Sequence, residues 1–154
     1  MHKDKYKQNY SFDKQFFFDE GSSPKVDDFL KKNFLSKAKS LIHGIGIFTT
    51  LAIPSNEFFY LVPLADLRLV PTPRAARIAT NKFVFDEKVL NYVNHSCEAN
   101  SEIVLEQQRV VLRAKRAISE GEEITLDYCD TEERNTLVPC TCGSKKCRNY
   151  FFIS

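Results

Sequence analysis

The feature that most constrains this chain is Cys140-Thr141-Cys142-Gly143-Ser144-Lys145-Lys146-Cys147, three thiols in one short loop near the C-terminus. Three thiolates cannot close a structural zinc site, because Zn²⁺ takes four tetrahedral ligands. The fourth must come from a distant part of the chain: Cys97, Cys129 or His95. Spacing does not choose among them. Whichever serves, the metal ties the tail back onto an earlier loop, and its binding offsets the entropy of closing so long a loop. Disulfides are the competing use of clustered cysteines, and they belong to oxidising compartments. The start of the chain, Met1-His2-Lys3-Asp4-Lys5-Tyr6, is polar and no apolar stretch follows, which does not make a signal peptide. No run reaches the ~18 apolar residues of a spanning helix. The expectation is an intracellular chain, cytoplasmic or nuclear, with reduced thiols and no membrane contact.

A second stretch, Asn94-His95-Ser96-Cys97, sets an amide, an imidazole, a hydroxyl and a thiol at successive positions, behind the apolar Tyr92 and Val93. Between it and the cysteine loop runs Gly121-Glu122-Glu123-Ile124-Thr125-Leu126-Asp127-Tyr128. These three stretches are expected to fold onto one another around a cofactor pocket. The chain has 154 residues and an apolar fraction of 43%, enough for the core of one domain. Its formal charge of +2 is too small to point to nucleic acid or a membrane surface as a direct partner.

In chain order, residues 1–32 read as an N-terminal extension. A polar tail carries the apolar triplet Phe16-Phe17-Phe18, and a helical turn follows over Asp27 to Lys32. Near-alternation from Asn33 to Lys39 suggests a strand. His43-Gly44-Ile45-Gly46, followed by Ile47-Phe48-Thr49, reads as a tight turn into a strand. Glycine there permits positive φ or close approach of a ligand. The pattern lacks the third glycine and the helix of a dinucleotide-binding fingerprint. A turn over Ala52 to Glu57, with Pro54 and Asn56, leads into an apolar strand from Phe58 to Pro63. Pro71, Pro73 and Arg74 to Arg77 read as a basic surface loop ending in a short helix. Ser101 to Ile118 forms a hairpin that turns over Glu106 to Arg109, and Ile124 to Tyr128 is a further strand. Many short strands, few helical patterns and no repeat describe a β-rich, irregular domain.

Three blocks stand in a telling order. They are Asn94-His95-Ser96-Cys97 with Asn100, the Gly121 to Tyr128 run, and Cys140-x-Cys142-Gly143-Ser144-x-x-Cys147-Arg148. Together they resemble a SET domain with its post-SET zinc loop. That family comprises protein-lysine methyltransferases that use S-adenosylmethionine. Gly44-Ile45-Gly46 with Phe48, and Ala79-Thr80-Asn81, fit the same pattern. The resemblance covers roughly Asn33 to Tyr150, and four motifs in the right order are far more specific than any one. It implies a mainly β fold of small curved sheets, with the C-terminal motif threaded as a pseudoknot. Residues 33–130 would be the SET domain and 131–154 the post-SET segment. It implies that His43, Gly44, Ile45 and Gly46, with Asn94, His95 and Tyr128, hold S-adenosylmethionine. Cys97, Cys140, Cys142 and Cys147 would hold one structural Zn²⁺, which leaves Cys129 outside the site. Tyr128 would be the catalytic tyrosine. Arg148 to Phe152 would close one wall of a lysine channel and cover the adenine. The partner implied is a protein substrate bearing a lysine: a histone, a ribosomal protein or another basic protein.

The chemistry explains why so few residues are needed. Methyl transfer from a sulfonium to an amine is an in-line displacement of an already activated group. The protein must deliver a neutral amine along that line. Free lysine has a pKa near ~10.4. A narrow apolar channel beside a positive sulfur lowers it by desolvation and like-charge repulsion. The Tyr128 hydroxyl would fix the alignment, which is worth several kcal/mol. The sequence departs from the family in four places. Ala99 replaces a usual proline, and Asn56 a turn glycine. Leu61 and Val62 stand where Glu-Tyr is common, so Tyr60, on the same strand face as Val62, is expected to stand in for the second tyrosine. Leu126 replaces an aromatic residue and should leave the channel roomier. The altered strand keeps a second reading in view, a SET-fold interaction module without activity. The retained Gly-x-Gly, Asn94-His95 and Tyr128 favour the enzyme.

Overall fold

Short apolar runs broken by turn residues produce several small sheets rather than one large one. A computed structural model describes residues 26–63, 67–69, 75–132 and 136–153. The Phe16–Phe18 triplet and Pro71, Pro73 and Arg74 of the basic loop lie outside them. Helix α1 (Val26–Lys32) buries Phe29 and Leu30 and places Lys31 and Lys32 in its last turn, where cations suit the helix dipole. Strand β1 (Leu35–Lys39) pairs antiparallel with β2 (Ile45–Thr49), Ala38 facing Gly46. Strand β3 (Phe58–Leu61) pairs with β9 (Arg109–Ala114), and β9 with β8 (Ser101–Glu106). The hairpin turns where expected. Gln107 and Gln108 take φ of 47° and 64°, the left-handed pair that a two-residue connection needs.

A third sheet has the order β4 (Leu67–Arg68), β6 (Lys82–Val84), β5 (Ala76–Ala79). Arg77 lies in β5 opposite Phe83, so the short helix expected at the end of the basic loop does not extend to it. Ladder pairing with β6 takes up the backbone there. Strands β7 (Asn94–His95) and β10 (Thr125–Leu126) run parallel, Thr125 beside Asn94 and Leu126 beside His95. This pair brings the C-terminal motif against the central stretch. It is shorter than the strand expected over Ile124 to Tyr128. The Asp127 side chain accepts from the Cys129 amide at 3.0 Å and caps a helical turn, α2 (Tyr128–Thr131). Tyr128 therefore begins a helix instead of ending a strand. Strands β11 (Thr136–Pro139) and β12 (Tyr150–Ile153) form a separate antiparallel hairpin.

The core gathers Leu30, Leu35, Ile47 and Leu112 from four of these segments and Ile118 and Ile124 from the connection before β10. Tyr60 belongs to it as well. It is 0% exposed, its ring meets Phe29 edge-on at 6.2 Å, and its hydroxyl donates to Asp86 Oδ2 at 2.7 Å. It does not stand in for a channel tyrosine. The reason is Asp86, a fully buried carboxylate that also accepts from the amides of Lys88, Val89 and Leu90. A buried charge needs such partners, and Tyr60 supplies one. The turn that Asp86 organises leads into the 3₁₀ segment Leu90–Tyr92, just before β7.

Candidate functional site

The parallel β7–β10 pair is the floor on which the expected site residues meet. Asn94 points its amide at the turn before β2. Its Nδ2 donates to the carbonyls of His43 (2.9 Å) and Ile45 (3.3 Å) and to Glu123 Oε1 (2.8 Å). Ser40 Oγ donates to both oxygens of the same carboxylate, at 2.9 and 2.8 Å, and accepts from the amides of Ile42 and His43. The two glycines of the turn serve different ends. Gly44 has φ of 48°, a left-handed conformation that costs glycine nothing. Gly46 has no such need, but a methyl group on it would collide with the Glu123 carboxylate and crowd Ser40. Ser40 and Glu123 brace this turn, and sequence reasoning missed both. The only signal for Glu123 was its place inside the Gly121 to Tyr128 motif, and Ser40 offered none.

Asn100 staples the next layer. Only 1% exposed, it donates through Nδ2 to the Glu123 carbonyl (2.7 Å) and Glu122 Oε1 (3.2 Å), and accepts from the Thr125 amide through Oδ1 (2.9 Å). Its backbone carbonyl accepts from the Lys115 amide at 2.8 Å. In a low-dielectric interior a fully paired amide like this fixes one geometry. Burial works to raise the Glu122 carboxyl, but bonds from Arg116, the Ser119 amide and Asn100 outweigh it and hold it below the ordinary range.

His95 and Tyr128 meet beside this staple. The Tyr128 amide donates to His95 Nδ1 at 3.1 Å, which leaves the ring proton on Nε2, 3.4 Å from Cys97 Sγ. Burial lowers the His95 pKa; nearby Asp127 pulls it up and Arg148 pushes it down, with a net lowering. Both ring nitrogens of His95 are thus engaged, one by the Tyr128 amide and one beside the Cys97 sulfur. The Tyr128 hydroxyl donates to the Val93 carbonyl at 2.7 Å. From the tail, Phe151 stacks on His95 (centroids 4.4 Å, 23° between planes) and meets Tyr128 edge-on at 5.5 Å. Arg148 grips Asp127 with two bonds, of 2.8 and 2.7 Å.

The sulfurs of Cys97, Cys140, Cys142 and Cys147 all lie within 4.8 Å of one another, and Cys97 and Cys140 are 3.7 Å apart. Zinc–thiolate bonds of ≈ 2.3 Å in a tetrahedron put neighbouring sulfurs about 3.8 Å apart. The donor set and its spacing fit a structural Zn²⁺. Of the candidates for the fourth ligand, Cys97 is the one in the group. His95 lies behind it as a neighbour of its sulfur, and Cys129 instead receives a bond from Arg148 Nη2 at 3.3 Å. Burial pushes the Cys97 and Cys140 thiols up, whereas hydrogen bonding with Ser144 overcomes burial at Cys142 and brings it down to about 6. One ready thiolate is a foothold from which a cation can displace the remaining protons.

Next to Tyr128 opens a cavity of about 240 Å³. Ala76, Leu90, Leu126 and Ile153 give it apolar walls, and Asn91, Tyr128, Thr131 and Glu132 its polar ones. The tail reaches it through Ile153, one residue beyond the expected Arg148 to Phe152. Among the described residues no helix is long and apolar enough to cross a membrane.

Comparison with known proteins agrees with this geometry. The SET domain profile matches residues 44–129. The histone-lysine N-methyltransferase trithorax of Drosophila virilis is 31% identical over 139 residues, covering 77% of this chain. The chain spans only 4% of that relative's length. Among solved structures, the methyltransferase domain of human histone-lysine N-methyltransferase SETMAR superposes with a TM-score of 0.58 at 20% identity, over 78% of this chain and 59% of that one. KRYPTONITE, solved in complex with mCHH DNA, an H3(1-15) peptide and SAH, superposes with a TM-score of 0.57 at 23% identity, over 77% of this chain and 29% of its own. More than half of the chain thus falls under one profile, and the expected motifs converge in space as that fold requires: the chain belongs to the SET domain family.

Proposed function

We propose that this domain transfers a methyl group from S-adenosylmethionine to the neutral ε-amine of a lysine in a protein substrate. The observation that carries the reading is the position of Tyr128. Its ring lies on the wall of a cavity that Ala76, Leu90, Leu126 and Ile153 line with apolar groups, and its hydroxyl donates to the Val93 carbonyl. The apolar walls suit the methylenes of a lysine and favour its uncharged form.

The donor would lie against the turn from His43 to Gly46, beside Asn94, His95 and Tyr128. His43, Gly44 and Ile45 of that turn are exposed, and a side chain added at Gly44 would meet nothing within 4 Å, so a flat ligand has room to approach its backbone there. When bound, S-adenosylmethionine supplies the activated methyl. Asn94, Ser40 and Glu123 hold the turn, Phe151 and Ile153 shield the site from water, and Tyr128 orients the amine. Cys97, Cys140, Cys142 and Cys147 would hold one Zn²⁺ that keeps the tail in place. Residues 33–130 would form the catalytic domain, 131–154 its closing segment, and 1–32 an extension. The relative's name and the neighbour's H3 peptide favour a histone or a similarly basic protein as substrate.

The test is transfer of labelled methyl from S-adenosylmethionine to histones and lysine peptides. Tyr128→Phe should abolish transfer while leaving S-adenosylmethionine binding unchanged; a variant with full activity removes the tyrosine from this role. The wild-type rate should rise with pH above neutrality, because the lysine must shed a proton. Elemental analysis of freshly purified, reduced protein should find one zinc per chain.

A further inference from the structure

We propose that the chain carries a second binding site, for an aliphatic carboxylate, in a cavity between the β4–β6–β5 sheet and the open end of the β3–β9–β8 sheet. Among the described residues it shares no lining residue with the cavity beside Tyr128, and it does not rest on the methyltransferase reading.

The cavity holds about 500 Å³, against about 240 Å³ beside Tyr128. Leu67, Ile78 and Val84 wall it on one side, and Val62, Leu105 and Val110 on the other. Strand pairing fixes these walls. Leu67 stands opposite Val84 and Leu105 opposite Val110, and the Val62 amide donates to the Val110 carbonyl at 2.9 Å. Val62, Val84 and Val110 are buried, whereas Leu67 and Leu105 are 38% and 41% exposed. The valines are therefore the floor, and the two leucines stand at the opening. Apolar side chains that face one another in a protein interdigitate to crystal-like density. Here they stand apart around a gap far larger than a packing defect. A space of roughly 300–1,000 Å³, mostly apolar with a few polar groups, is the form that small-molecule sites take.

The polar groups select the ligand. Lys82 and Gln108 are the polar members of the described lining, and no carboxylate is among them. Lys82 lies two positions before Val84 on β6, so both side chains leave the same face of the sheet, the one that borders the cavity. Lys82 is exposed and takes part in none of the ion pairs among the described residues. Its flexible stem ends in a point charge with three donors. Gln108, exposed in the β8–β9 turn, adds an amide that can donate as well. A neutral hydrocarbon makes no use of the ammonium. An amine meets it as a like charge, and a small inorganic anion leaves the apolar walls wet. A carboxylate on an aliphatic chain answers both features, with the chain against the valine and leucine walls and the head at Lys82.

The test is calorimetric titration of the full chain with decanoate, decanol and decylamine, each below its micelle or solubility limit. Decanoate should bind at one site per chain, about fivefold tighter than decanol, with decylamine weaker still. In methyl-labelled protein, decanoate should shift the NMR signals of Leu67, Val84, Leu105 and Val110 and leave those of Leu126 and Ile153 in place. Lys82→Ala changes an exposed residue and spares the fold. It should weaken decanoate about fivefold and leave decanol unchanged, and Lys82→Glu should favour decylamine over decanoate. Equal affinity for the three compounds, or an unchanged decanoate affinity in Lys82→Ala, would overturn the carboxylate assignment. No saturable binding of any of them, or shifts confined to the cavity beside Tyr128, would overturn the site itself. Failure of methyl transfer to histones would leave this site standing, because the two cavities are read by separate residues.

Discussion

The central crossing and the C-terminal tail border the same cavity but are held there by different physics. At the crossing, Asn100, Thr125 and Asn94 are buried, and each side chain hydrogen-bonds within the domain. The tail over 136–153 is half or fully exposed, with Leu137 at 58% and Tyr150 at 44%. Its hairpin pairs with itself. The cysteine group, the Arg148–Asp127 pair and the stack of Phe151 on His95 are among its ties to the body, with smaller ones from Thr141 to the Ile42 carbonyl and from Lys146 to Glu98. The first region forms as the core forms. The second leans on a cysteine group that could hold a cation, and its Ile153 lines the cavity. A fold arranged in this way can lose that part of the wall without unfolding.

The largest effect should therefore come from the metal. A chelator, or Cys142→Ser, is expected to cut methyl transfer at least a hundredfold and to open the 136–153 segment to proteolysis, while the melting of residues 33–130 persists. A tail that stays protected after zinc removal would erase the distinction drawn above. Asn100→Ala probes the other region. It strands the Thr125 amide and the Glu123 carbonyl, and should cost about 3 kcal/mol, read as a drop in the urea midpoint of the whole domain. Selective release of the tail in that variant would again break the comparison.

Smaller effects sharpen it. Gly46→Ala forces the Glu123 carboxylate aside and should cost about 1–3 kcal/mol, with weaker S-adenosylmethionine binding because the turn moves with it. If isothermal titration finds the affinity unchanged, the turn is not the donor's seat. The smallest effect concerns acid. The folded-state pKa of Glu122 is depressed, so the stability it contributes is complete above the unfolded value near ~4.3 and is lost as pH falls through the folded one. The urea midpoint should fall on acidification below that value. Glu122→Gln should show a shallower fall; parallel curves for the two proteins would separate this carboxylate from the stability of the crossing.

Much of this was legible in the residues, and the exceptions are instructive. The hairpin over Ser101 to Ile118 was readable because its signals are local: alternation, then two glutamines that both take positive φ. Asn56 in a left-handed turn, with φ of 66°, was readable for the same reason. Tyr60 was not. Its distance along the strand suggested a channel residue, and a buried carboxylate twenty-six positions later in the chain claimed it instead. Arg77 looked helical until β6 offered it a ladder. Tyr128 looked like a strand end until Asp127 capped a turn beneath it.

By itself, the sequence determined the chemistry on offer: which thiols exist, where an amide and an imidazole adjoin, which tyrosine follows the Gly121 run, and that short strands would dominate. Those properties belong to residue types and near spacing, and they survive without coordinates. The tertiary structure alone decided on which partners these groups spend their hydrogen bonds. Ser40 and Glu123 became braces of the turn, and Tyr60 became core. A polar side chain's role depends on the partners that reach it, and here those partners come from dozens of residues away, through pairings that local preference does not encode.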